Sequence, residues 1–385
     1  MAVHLDIAPE LYRWAVERAG WDEQTAQRRF PQLSEWTAGI RQPTLKQVEQ
    51  FAHATHAPFG QLFLSEPPEE PLPVPDLRTI KDAAIRRPSA DLLDTVYLCQ
   101  ERQDWYREFA AENRLEPVRY VGTATTQDSP AHVAGQMREA LNTPDSGSEA
   151  RGSWAVTFRR LVDRIEATGT LVMVSGVVGA NTHRVLKPEE FRGFALSDEI
   201  APLLFINGAD TKAAQIFTLI HEFAHLWLGG SALSDASVAE RSANTTERWC
   251  NAVAGEFLVP IDSLHDEYRD DVSSEALDEL ARRFTVSTLV ILRRIADAGY
   301  LAWDDFRARY VDEHQRVMAM LTEAREGSGG GNYYNTQPVR LSRQFARSVI
   351  ESTYEGSTSY RDAYQLLGTT KHSTFEGLAD QLGAR

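Results

Sequence analysis

In the stretch Ile220-His221-Glu222-Phe223-Ala224-His225-Leu226, two histidines stand four residues apart and a glutamate directly follows the first. Residues i and i+4 of a helix differ by only about 40° around its axis, so His221 and His225 would present both imidazoles to one point. Zinc takes imidazole nitrogens at roughly 2.0 to 2.1 Å, and that point could hold one such ion. Glu222 lies one position round the helix, poorly placed to be a ligand but close enough to reach a water on the metal. That is the layout of a zinc hydrolase with a glutamate as general base. In a chain with 10 histidines, an HExxH pattern arises by chance on the order of 0.02 times, which favours chemistry over a helix that merely carries these residues.

Two histidines do not hold a catalytic zinc; a third protein ligand is needed, with the fourth position left for water. The segment ERWCNAVAGEFLVP, residues 247–260, offers two carboxylates on a second helix. Glu247 stands 22 residues after His225, with Asn251 one turn further on, where an amide could orient a ligand from outside the metal's own shell. Glu256, among Phe257, Leu258 and Val259, is the alternative metal ligand, though it could equally be a surface acid on the opposite face. Glu240 is better read as a solvated acid in the first turn of that helix. For the oxyanion, Tyr268, His265 and His183 are candidates by residue type alone.

These side chains need elements to position them. Leu171 to Val174, the alternating run Phe191-Arg-Gly-Phe-Ala-Leu and Leu203 to Ile206 read as strands of a small sheet placed before the histidine helix. An edge strand from Phe191-Arg-Gly-Phe could align a peptide by backbone pairing. Helices are expected over residues 88–113, 127–141, 153–168, 211–228, 240–258, 273–284, 287–298 and 303–325.

Towards the N-terminus, Leu11, Trp14 and Ala15, then Leu45, Val48, Phe51 and Ala52, recur at helical spacing around the turn Gly39-Ile40-Arg41-Gln42-Pro43-Thr44, as a helix-turn-helix bundle requires. The prolines of EPPEEPLPVP then favour an extended connector.

The chain reads as mainly α with a small β-sheet, an α+β protein. Its expected parts are a helix-turn-helix bundle (1–66), a proline-rich linker (67–75), a helical connector (76–152), the metal-site domain (153–326), a glycine-rich linker (327–331) and a helical C-terminal extension (332–385). In that extension Phe345, Val349, Ile350, Tyr354 and the run 360–367 form apolar faces that could dock on a partner or fold back on the core.

Composition narrows the function classes. A formal net charge of -15 opposes non-specific nucleic-acid binding by the whole molecule. Residues 1–66 carry six arginines and lysines against eight acids, so DNA contact would fall to a local set, Arg28, Arg29 and Arg41. The same bundle could instead serve protein contacts or a homodimer. Cys99 and Cys250 lack CxxC partners, which speaks against a disulfide framework or a cysteine zinc site. No apolar run reaches the roughly 18 to 20 residues of a membrane span, and the first residues lack the basic-then-apolar pattern of a signal peptide. The cytoplasm is the expected compartment.

TKAAQIFTLIHEFAHLWLG followed by ERWCNAVAGEFLVP, together with FRGFALSD and Pro202-Leu-Leu-Phe-Ile-Asn207, resembles the ImmA/IrrE metallopeptidases over roughly residues 155–300. LYRWAVERAG and LSEWTAGIRQPTLKQVEQFA are similar to the Xre-type helix-turn-helix domain often fused ahead of such peptidases, and the C-terminal stretch is similar to the extension of those fused proteins. The resemblance implies a zincin-like core with His221, His225 and Glu247 as zinc ligands and Glu222 as base. It also implies proteolysis of a transcriptional repressor in stress-response or mobile-element regulation, with links to toxin–antitoxin-type gene pairs. A competing expectation is an antitoxin or DNA-binding regulator that works by binding a partner toxin or operator DNA, its zinc site structural or vestigial.

Overall fold

In a computed structural model, residues 4–76, 88–143, 153–234, 244–325 and 340–384 are described. The chain divides into two compact units, residues 1–73 with 82–96 and residues 74–81 with 97–385.

The first unit is built from short helices: α1 (Pro9–Arg18), α2 (Glu23–Arg29), α3 (Leu33–Thr37) and α4 (Leu45–Thr55), followed by a 3-10 turn at Phe59–Phe63. Side chains fix where they start. The Asp22 carboxylate accepts from Thr25 N–H, and Thr44 with Gln47 forms a reciprocal capping box. Tyr12, Trp36 and Phe51 interlock at ring separations of 5.6 to 6.2 Å to close the core. Arg18 is spent inside the unit, donating to the carboxylates of Glu70 and Asp94 at 3.0 and 2.8 Å.

The second unit centres on a four-stranded sheet in the order β1-β3-β2-β4. β1 (Leu171–Ser175) pairs parallel with β3 (Leu203–Asn207), β3 pairs antiparallel with β2 (Gly193–Leu196), and β2 pairs antiparallel with β4 (Ala232–Ser234). β1, β2 and β3 are buried along their whole length, which explains their nearly unbroken apolar sequence.

On one face lie α7 (Trp154–Glu166) and α8 (Lys212–Trp227), whose Phe158, Leu161, Ile165, Ile216 and Ile220 share a core with Val172, Ala195, Leu204 and Ile206 of the strands. α6 (Pro130–Ala140) and α9 (Thr245–Leu258) pack against each other, and α9 against α8. α10 (Ile261–Glu267), α11 (Ser274–Phe284), α12 (Thr288–Asp297) and α13 (Trp303–Arg325) follow.

α5 (Ala90–Glu112) serves the sheet differently. Its Gln103 side chain donates to the Leu196 and Ala201 carbonyls, and Arg102 reaches the Met173 sulfur at 3.8 Å. The extension folds back here as α14 (Arg343–Tyr354), α15 (Tyr360–Leu367) and α16 (His372–Leu382). Phe345 sits edge-on to Trp105, and Arg102 donates to the Leu366 carbonyl. Val349 and Ile350 are buried while Tyr354 and Tyr360 stay partly exposed.

The glycine-rich linker 327–331, the polar loop at 144–152 and Glu240 lie outside the described residues. Among the described residues, no helix is long and apolar enough to cross a membrane.

Candidate metal centre

α8 begins where the Thr211 hydroxyl accepts from Ala214 N–H, and every residue from Gln215 to Trp227 is buried. Its far end is fixed by backbone: the Leu226 and Trp227 carbonyls accept from Gly122 and Ala124 N–H at 3.0 and 2.9 Å. Gly229 closes the helix at φ +71°, a conformation that favours glycine, and a Cβ there would meet Gly122 Cα at 2.9 Å. Tyr120 stacks on Trp227 with ring centroids 5.2 Å apart. The histidine helix is therefore clamped at both ends.

α9 is held as firmly. The Asn244 side chain accepts from the N–H groups of Thr246 and Glu247, which sets Glu247 in the first turn. Trp249 Nε1 donates to the Asp128 carbonyl at 2.9 Å, and Arg138 donates to the Glu256 carbonyl at 2.9 Å.

Between the two helices three donors converge. His221 Nε2 and His225 Nε2 are 3.2 Å apart; Glu247 places one carboxylate oxygen 3.2 Å from the first and the other 3.0 Å from the second. Two ligands at about 2.05 Å from an ion and at the tetrahedral angle stand roughly 3.3 Å apart, so the three separations fit a zinc-sized sphere. The four residues His221, Glu222, His225 and Glu247 are at most 2% exposed. Burial pushes the His225 imidazole below its ordinary value, towards the neutral form that a ligand needs. Burial alone would raise Glu247; the charges and hydrogen bonds of His221 and His225 outweigh it and bring the carboxyl down to about 2. This is a buried His-His-Glu group that could hold a metal ion.

Cys250, one turn from Glu247, stays a thiol: burial and the Glu247 and Glu222 carboxylates push its pKa well up. Asn251 makes no hydrogen bond to the cluster among the described residues, and its Oδ1 is buried without a donor. Glu256, the alternative ligand, points elsewhere and accepts from Arg294 Nη2 at 2.6 Å. His265 is hydrogen-bonded to the Tyr300 hydroxyl, Tyr268 packs on the Tyr300 ring and His183 is exposed, so these oxyanion candidates have contacts of their own.

The β2 edge is not free, in contrast to the expectation that it aligns a peptide. β4 pairs with it over Gly193 to Ala195, and Leu233 of β4 donates in turn to the Pro75 carbonyl at 2.9 Å. Sequence reasoning passed over β4 because three residues are too few to show alternation. It also gave Gly193 no role, although a glycine inside a strand signals a close backbone approach.

In the first unit Arg28, Arg29 and Arg41 are exposed. Arg28 and Arg29 end α2 and Arg41 lies in the turn after α3; Phe30 to Gln32 separate α2 from α3. The Arg29 guanidinium lies 4.7 Å from the Trp21 ring, and Arg41 is 3.8 Å from the Glu35 carboxylate.

Comparison with known families places two segments. Residues 166–296 match the peptidase M78 family model, described as the IrrE N-terminal-like domain, which contains both helices of the His-His-Glu group. The match supports an ImmA/IrrE-type metallopeptidase domain in that segment. Residues 341–381 match a domain of unknown function, DUF8813. No curated protein matches the chain.

Proposed function

We propose that this chain is a zinc-dependent endopeptidase that cleaves a regulatory protein such as a transcriptional repressor, in stress-response, mobile-element or toxin–antitoxin-type regulation. The observation that carries the reading is the convergence of His221, His225 and Glu247 at ligand-to-ligand distances of 3.0 to 3.2 Å, with Glu222 on the same helix turn. A zinc ion held by those three side chains would supply a Lewis acid that polarises the scissile carbonyl and acidifies water. Glu222 then takes the proton of the attacking water and returns it to the leaving amine. Burial strengthens both transfers, because charges in a site that excludes bulk water interact more strongly. Clamping of α8 and α9 holds base and ligands in register without reorganisation during turnover.

The product of the adjacent gene is the substrate to try first, with fragments read by mass spectrometry. Wild type with zinc is expected to cut it, and Glu222→Gln to leave it intact. Undiminished cleavage by Glu222→Gln would overturn the mechanism.

One observation favours a second reading. All four site residues are at most 2% exposed, and a polypeptide must reach them to be cut. In this reading the protein acts by holding a toxin or repressor, or by placing the first unit on operator DNA, and the metal is structural. Protection against the neighbouring gene product by the Glu222→Gln form, equal to that by wild type, would select it.

A further inference from the structure

Gly193 is not glycine because of a positive φ. It is absent from the left-handed region, and it lies inside a paired strand with Ile206 of β3 on one side and Ser234 of β4 on the other. What a side chain there would meet lies partly in the paired strand β3 and partly across the sheet face on α8. A Cβ built on Gly193 would stand 2.8 Å from Thr218 Cγ2, 2.9 Å from the Phe205 carbonyl oxygen and 3.1 Å from Glu222 Cγ. Thr218 and Glu222 are one turn apart on α8, so β2 crosses the helix over the stem of the base. No atom of His221, His225 or Glu247 is among those three nearest neighbours.

We propose that Gly193 is a positioning residue for Glu222: its bare backbone leaves room for the γ-methylene of the base and walls it in, fixing where the carboxylate points. This rests on reading Glu222 as the proton acceptor. A side chain here would press on the glutamate stem as well as on Thr218 and the Phe205 carbonyl, and none of these three nearest neighbours belongs to a metal-ligand residue. A misplacement of about 1 Å costs on the order of 100-fold in rate, and the few tenths of an ångström that a 3.1 Å approach asks of the stem costs correspondingly less, about tenfold.

The test is Gly193→Ala in the full-length zinc-loaded protein. Zinc content is expected to stay at the wild-type level while kcat falls about tenfold and KM stays within about threefold. Added to Glu222→Gln, the same change is expected to cost almost nothing further, because both act through one carboxylate. Gly193→Ala paired with Thr218→Ser relieves the 2.8 Å contact with the helix and serves where the single variant folds poorly. That pair is expected to recover part of the stability, since the 2.9 Å approach to the Phe205 carbonyl remains, without recovering kcat.

Recovery of kcat by Thr218→Ser, or full multiplication of the Gly193→Ala and Glu222→Gln losses, would assign Gly193 to strand–helix packing and overturn the proposal. Crystal structures of metal-free wild type and Gly193→Ala give a readout independent of turnover: the glutamate stem is expected to move away from residue 193 by a few tenths of an ångström, and an unmoved Glu222 refutes the inference. If wild type cleaves nothing, the peptidase reading falls, and the position of Glu222 still decides this one.

Discussion

Glu247 and Glu256 ride on one helix, nine residues apart, and face opposite fates. Glu247 is 2% exposed and meets two imidazoles; Glu256 meets the buried Arg294 guanidinium, which also donates to the Val259 carbonyl. An acid paired with arginine is neutralised and tied into the scaffold. An acid that faces two imidazoles offers its carboxylate beside two further nitrogen donors to a cation brought from outside. The neighbouring element decides the role, and the two residues' positions in the helix do not.

The contrast can be broken by substitution. Glu247→Gln or His221→Ala is expected to lower turnover by more than the roughly 10- to 100-fold that loss of an outer partner costs, because each removes a ligand itself. Glu256→Gln should leave turnover within a few-fold of wild type in the same peptide-cleavage assay. A large loss there would restore Glu256 as a ligand candidate.

Arg294→Ala probes the other half of the contrast. It strands a partly buried carboxylate, and urea denaturation is expected to read a loss of about 3 to 5 kcal/mol with zinc content unchanged. An unchanged midpoint would show that the pair contributes little to the scaffold.

Glu166 sharpens the comparison as a third acid, one on which burial outweighs the charge of the nearby Arg343. Burial raises its carboxyl to about 7 despite the hydrogen bonds from Ser342 and from the Arg343 N–H at the start of α14, and Asp163 adds to the rise. An unfolded glutamate releases its proton near 4.5, so the folded state binds protons more tightly between the two values. The stability contribution is full below about 4.5 and is lost as the pH rises through about 7. Glu166→Gln should remove that slope, worth about 2 to 3 kcal/mol, in denaturation curves taken from pH 4 to pH 8. An identical slope in the variant would place the titration elsewhere.

What the sequence disclosed follows from the range of each interaction. HExxH was legible because its geometry is local: four residues on one helix fix the two imidazoles whatever surrounds them. The helices of the second unit were legible from their periodicity and from caps such as Ser153, Thr211 and Ser287. Spacing from His225 and the apolar neighbours of Glu256 favour Glu247 over Glu256, and family resemblance agrees, but the Arg294 that occupies Glu256 is set by what lies opposite α9. The covered edge of β2 and the contact of Gly193 with Glu222 depend on chain crossings between distant segments, which leave no periodic trace. The extension's apolar residues were visible as a face, but its target, Trp105 and the Leu366-to-Arg102 bond, was set by topology alone.

Zinc content per chain, measured on wild type, Glu247→Gln and Glu256→Gln purified in parallel, tests the central claim most directly. About one zinc is expected in wild type and in Glu256→Gln, and almost none in Glu247→Gln. Zinc retained by Glu247→Gln, or lost from Glu256→Gln, would contradict the assignment of the His221–His225–Glu247 centre.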